Sequence, residues 1–119
     1  MKISFGDVLL ARFPFTDLSG DKRRPVLVLS ADNDGDDAVV CAITSRPHNG
    51  PFDIPVVPSA DNGLKVPSRV QFDKIATLER GVIAGRLGAM PEDFMIEHKA
   101  LFLGLFGFDR VQAGVAGAG

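Results

Sequence analysis

The sequence predicts a mostly β protein of the α+β class, a small barrel or sandwich of short strands with one helix near its C-terminal end. Three observations predict it. Short runs rich in β-branched residues recur at regular spacing and are closed by Gly, Pro, Asp or Asn. No helix-length apolar pattern separates them, which argues against βαβ units. A single stretch after Met90 carries apolar residues at helical spacing. The 119 residues leave room for one domain, assigned to residues 1–112, with a Gly/Ala tail at 113–119 that carries no function.

Residues 8–13 read as the first strand, ended by Pro14, and Asp17, Ser19, Gly20 and Asp21 then supply turn chemistry. Residues 25–30 (PVLVLS) read as a buried strand. Residues 32–37 (DNDGDD) lack the ligand spacing and distant Glu of an EF-hand, so they read as a solvated hairpin tip. Residues 39–44 form the next strand, closed by Arg46-Pro47-His48-Asn49-Gly50-Pro51. Pro55 interrupts residues 52–57 and places that strand at an edge or bulge. Residues 67–75 alternate enough to pair. The helix follows, with Pro91 at its first position and Glu92 and Asp93 complementing the dipole. Phe94, His98, Leu101, Phe102 and Leu105 share one face, with His98 as a hydrogen-bonded packing residue. Ile96 and Leu103 face the other way, so the helix is covered twice, by a second subunit or by extra burial within the chain.

Hydrophobic residues make up 45% and charged residues 24%, so the chain buries a core and need not be disordered. The net charge of −2 lacks the basic excess usual in nucleic-acid binders, but a local basic patch depends on arrangement, not on the total. The lone cysteine, Cys41, excludes a disulfide within the chain and reads as a core thiol. The first residues lack the apolar stretch of a signal peptide, and no uncharged run approaches the roughly 20 residues of a membrane span. The expected location is cytoplasmic.

Most catalytic sets are missing. There is no phosphate loop, HExxH, CxxC or GxSxG, and two histidines with one cysteine make a poor metal site, so neither metal nor cofactor is expected. Without Tyr or Trp, stacking on bases falls to Phe or an Arg plane. What remains is a juxtaposition. Lys22-Arg23-Arg24 ends a polar loop just before the strand at Pro25, and Thr44-Ser45-Arg46 ends the strand at 39–44. Strand ends sit on a rim, where four cations clamp phosphates and two hydroxyls reach a phosphate or a ribose. The same residues also read as a solvated charge triplet and a turn closure.

The ordered set Gly6-Asp7-Val8, Phe13-Pro14-Phe15-Thr16-Asp17, Arg24-Pro25-Val26-Leu27-Val28-Leu29-Ser30 and Ala42-Ile43-Thr44-Ser45 resembles the N-terminal half of MazF/PemK-type toxins. Gly50-Pro51-Phe52, Leu64-Lys65-Val66-Pro67-Ser68, Asp73-Lys74-Ile75-Ala76-Thr77-Leu78 and Arg86-Leu87-Gly88 extend the likeness over nearly the whole chain. The resemblance implies an SH3-like barrel and a homodimer. It also implies metal-independent endoribonuclease cleavage of single-stranded RNA at short motifs, leaving a 2′,3′-cyclic phosphate and a 5′-OH. Its implied active-site pair is Arg24 and Thr44, with Ser45 as a neighbour. The rim cations Lys22, Arg23 and Arg46 are expected to bind substrate beside them, as are Asp17 and Ser19 in the variable loop after the first strand. The implied partners are an acidic cognate antitoxin and, through it, operator DNA. Two alternatives share this fold: a binding module without chemistry, and an inactive toxin that serves as a DNA-binding co-repressor with its antitoxin.

In such a reaction RNA supplies its own 2′-OH. Arg24 suits stabilisation of the charged phosphorane through its donor fork, and Thr44 suits a non-bridging oxygen or the ribose. The general base stays open: His48 lies in a Pro/Asn/Gly loop, and a guanidinium holds its proton above about pH 12.

Overall fold

The pattern of alternating buried residues resolves into six strands in a computed structural model that describes residues 1–12, 22–35 and 37–111. They are β1 (Asp7–Arg12), β2 (Arg23–Val28), β3 (Ala38–Thr44), β4 (Asp53–Val56), β5 (Ser68–Leu78) and β6 (Ile83–Ala89). All pairs are antiparallel, in the order β4-β5-β3-β2-β1-β6.

The sheet is not closed. β4 and β6 are its two edges, so the expected barrel is an open sheet that coils without sealing. The coiling follows from the β5–β6 connection. Four strand spacings separate β5 from β6 in the ladder, about 19 Å in a flat sheet. Leu78 and Ile83 are joined through one tight 3-10 turn, Arg80–Val82, which is too short for that span. The two ends therefore meet by curling, and Ala76, Leu78, Val82 and Ile83 join one core with Leu9, Val26 and Val40. A bulge in β5, opposite Cys41 and Ala42, supplies part of the bend.

Both faces of the sheet are covered. Leu9, Ala11, Val26, Val28, Val40 and Ala42 fill the inner core, and Val8, Leu27, Cys41, Ile43, Val70 and Phe72 fill the other. Val26, Leu27 and Val28 are consequently all fully buried, which is why the run reads as continuous apolar sequence. β4 lies at an edge, where the missing N–H of Pro55 costs no ladder bond.

The expected single helix is two. α1 (Glu92–Glu97) and α2 (Lys99–Leu105) break at His98, whose φ and ψ are −104° and 6°. The His98 imidazole bonds the Phe94 carbonyl at 2.9 Å, the same oxygen that accepts the His98 backbone N–H. Pro91 caps α1 from just outside, with Glu92 and Asp93 in the first turn. Phe94, Leu101, Phe102 and Leu105 pack onto the outer core, while Ile96 on the far side is 64% exposed.

The described residues of 32–37 are mostly exposed, as expected of a solvated tip between β2 and β3, but the tip is anchored. Asn33 pairs with Ile3, Asp32 accepts the Phe5 N–H at 2.9 Å, and Arg80 Nη2 donates to Asn33 Oδ1 at 2.8 Å. Cys41 is fully buried, and that burial pushes its thiol pKa far above the ordinary value, so it is inert as a nucleophile. Among the described residues, no helix is long and apolar enough to cross a membrane.

Candidate active site

The register of the sheet explains why Arg24 and Thr44 meet. The β2–β3 ladder ends at the pair Val26–Ala42; its register, extended two residues past that end, aims Arg24 at Thr44, and both line one cleft. On the flanks Arg24 pairs with Ala11, and Thr44 pairs with Arg69. Cross-strand partners share a face. Arg24, Thr44 and Arg69 therefore emerge together, on the face whose inner part is the core of Val26 and Ala42. The site is the polar continuation of that core at the strand ends.

A cleft of about 280 Å³ opens there, lined by Arg24, Thr44, Arg46, His48, Gln71 and Lys74 over a floor of Ala42 and Ile43. Arg24 is half-buried, and its Nε and Nη2 are buried without a hydrogen-bond partner among the described residues. Orphaned buried donors are costly, and in native proteins such groups mark a strain reservoir, an unseen partner or a catalytic role. Thr44 Oγ1 accepts the Arg46 N–H at 3.1 Å, which leaves the hydroxyl proton to donate.

The other end of the cleft holds a pair five residues apart. The Nδ1 of His48 bonds Asp53 Oδ2, and the Gly50 N–H donates to the same oxygen at 2.9 Å. The Asp53 side chain is 1% exposed, and the imidazole is 50% exposed. Burial works to raise the Asp53 pKa. The His48 hydrogen bond, the Gly50 N–H and the charges of His48 and Arg69 outweigh it, so the carboxyl stays below its ordinary value and ionised. Gln71 pairs with Asp53 across β4 and β5, and its amide lies 3.5 Å from His48 Nδ1.

Of the residues singled out in the sequence, the fold brings Arg24, Thr44 and Arg46 into the cleft. Lys22, Arg23 and Ser45 are exposed and do not line it. Strand alternation explains Arg23, which points to the face opposite Arg24. Asp17 and Ser19 lie outside the described residues, as does the tail at 113–119. Sequence reasoning missed Asp53, Arg69, Gln71 and Lys74. All four come from β4 and β5, and only strand pairing carries them to Thr44.

The small coiled sheet thus ends in a cleft that gathers cations, a hydroxyl and an imidazole. The chain belongs to the PemK-like, MazF-like toxins of type II toxin-antitoxin systems, whose family model matches residues 4–103. Among solved structures it is similar to MazF from Deinococcus radiodurans, with 27% identity, a TM-score of 0.68, and coverage of 90% of this chain and 98% of that one. It is also similar in fold to a mycobacterial endoribonuclease in complex with its cognate antitoxin, with 23% identity, a TM-score of 0.68, and coverage of 88% and 95%. The Mycobacterium tuberculosis toxin MazF-mt6 gives 23% identity, a TM-score of 0.67, and coverage of 84% and 95%. No curated sequence matches the chain.

Proposed function

We propose that this toxin is an endoribonuclease that cuts single-stranded RNA by attack of the 2′-OH on the adjacent phosphorus, without a metal. The observation that carries the reading is Arg24, whose Nε and Nη2 are buried without a partner among the described residues, in a cleft that also holds Thr44, Arg46 and Lys74. Buried donors with no partner among the described residues suit the pentacoordinate phosphorane, whose charge grows as the reaction proceeds. Thr44 holds a non-bridging oxygen or the ribose. Cations of the chain take the charge-neutralising role that a metal plays elsewhere, so no metal enters the reaction. A solved mycobacterial relative is an endoribonuclease, and relatives have been solved bound to an antitoxin.

The same cations attract carboxylates as readily as phosphates. An acidic antitoxin segment that occupies this cleft competes with RNA, and added RNA then relieves its inhibition; undiminished inhibition at saturating RNA places the antitoxin elsewhere. Contact with operator DNA runs through that antitoxin. Exposed Ile96, Phe106 and Phe108 on the helical side support a homodimer that covers them. Light scattering at micromolar concentration should give twice the chain mass; a fully active monomer contradicts this.

The test of the function itself is cutting of a long single-stranded RNA by purified protein in excess EDTA, with every cut mapped. The expected result is a small set of sites that share a short motif. Loss of cutting in EDTA, restored by a divalent ion, overturns the metal-independent mechanism.

A further inference from the structure

The proton balance of this cleavage has no owner in Arg24 and Thr44. A guanidinium keeps its proton above about pH 12, and a threonine hydroxyl is no base. The cleft nevertheless contains an imidazole already seated on a carboxylate, and the seat is built. Asp53 is buried and receives the Gly50 N–H as well as the ring. Gly50 leaves the room the ring needs, because a Cβ there would lie 3.1 Å from His48 Cε1 and 3.4 Å from Asp53 Oδ2. The imidazole is half exposed and lines the same cleft as Arg24 and Thr44.

We propose that His48, oriented by Asp53, is the general base of the reaction; this rests on the endoribonuclease reading above. An ionised Asp53 holds the proton of His48 on Nδ1, so Nε2 keeps its lone pair. Asp53 from β4 and Gln71 from β5 reach the ring, Arg24 from β2, Lys74 from β5 and Arg46 from its own loop line the same cleft, and the charge of Arg69 from β5 acts on Asp53. Nε2 takes the proton of the attacking 2′-OH as the O2′–P bond forms. The P–O5′ bond breaks and its electron pair goes to O5′, which takes a proton from a solvent water. His48 then releases its proton to solvent, where it neutralises the hydroxide left by that water, and the enzyme is reset. Arg24 holds the phosphorane charge throughout. Asp53 is a positioning residue, since it acts only through the ring.

The test is the single-turnover cleavage rate of an RNA oligonucleotide carrying one mapped site, followed from about pH 5 to pH 9, across the range where imidazoles change charge. The base works in its neutral form, so the wild-type rate rises with pH and then levels off. His48→Gln should lower the plateau about 100-fold or more and remove the rising limb. Asp53→Asn should lower the rate about tenfold or more and distort the same limb, because the amide no longer fixes the ring tautomer. Thermal unfolding of each variant separates a lost base from a lost fold, and an intact Asp53→Asn suffices if His48→Gln misfolds. A folded His48→Gln that cuts within about threefold of wild type with its limb intact overturns the dyad and leaves the endoribonuclease reading standing. Wild-type protein that cuts no RNA at any pH overturns both.

Discussion

Arg24→Met should abolish cleavage and leave the protein as stable as before, or more so. The two effects part because they come from different atoms of one side chain. Arg24 shares a sheet face with Val26 two residues on, and methionine keeps an unbranched apolar stem at that position. The guanidinium carries two buried donors with no partner among the described residues. A buried unsatisfied donor costs about 1–3 kcal/mol, so its removal relieves the folded state. The same donors are placed for the transition state, and loss of such a donor typically lowers the rate on the order of a hundredfold to a thousandfold. Cleavage kinetics and a thermal melt of the same preparation decide the matter. A variant that loses activity and stability together would make Arg24 a structural residue, and one that keeps its activity would move the site.

Gly88→Ala is expected to do the reverse. A Cβ at Gly88 would lie 2.1 Å from the Asp61 carbonyl oxygen and 2.7 Å from the Asn62 carbonyl carbon, both backbone atoms. The approach is mutual, since Gly63, at a φ of +67°, would press a Cβ within 2.1 Å of the Leu87 carbonyl oxygen. The loop cannot easily give way. Buried Asn62 accepts the N–H groups of Ser59 and Leu64 and donates to the Val57 carbonyl, and the Ala89 N–H bonds Asp61 at 2.8 Å. Forcing these backbones apart costs about 3 kcal/mol, which lowers the melting temperature on the order of 10 °C or more. The cleft is built from β2, β3, β5 and the loop after β3, so the rate per folded molecule should hold. A melting temperature within about 2 °C of wild type would show that the loop yields.

These two residues also mark how much was legible in the sequence. β1 to β5 could be read because β-branched runs and turn residues record local preference directly. β6 could not: Gly85, Arg86 and Gly88 break both propensity and alternation, and the strand exists because β1 pairs with it and the loop at 57–64 packs on it. The Arg86 guanidinium within that strand serves Asp7, which is buried and bonded at 3.1 Å. The coiling of the sheet was equally hidden, because it follows from the strand order and not from any one segment. At the site, Arg24 and Thr44 were visible as strand ends, and the alternation that sends Arg23 to the other face was readable in principle. The seat of His48 was not readable. Pro47, Asn49 and Gly50 make its loop look like a plain turn, and the role of Asp53 depends on burial against β5.

The most direct test of the central claim is one substitution in the substrate. A single-stranded RNA bearing 2′-deoxyribose only at the nucleotide 5′ to the mapped scissile phosphate should resist cutting there, yet still compete with intact RNA for the cleft. Intact RNA should yield a 2′,3′-cyclic phosphate and a 5′-OH at that position. Cutting of the deoxy-substituted strand at the same bond would contradict the account, because water or a protein group, not the 2′-OH, would then be the nucleophile.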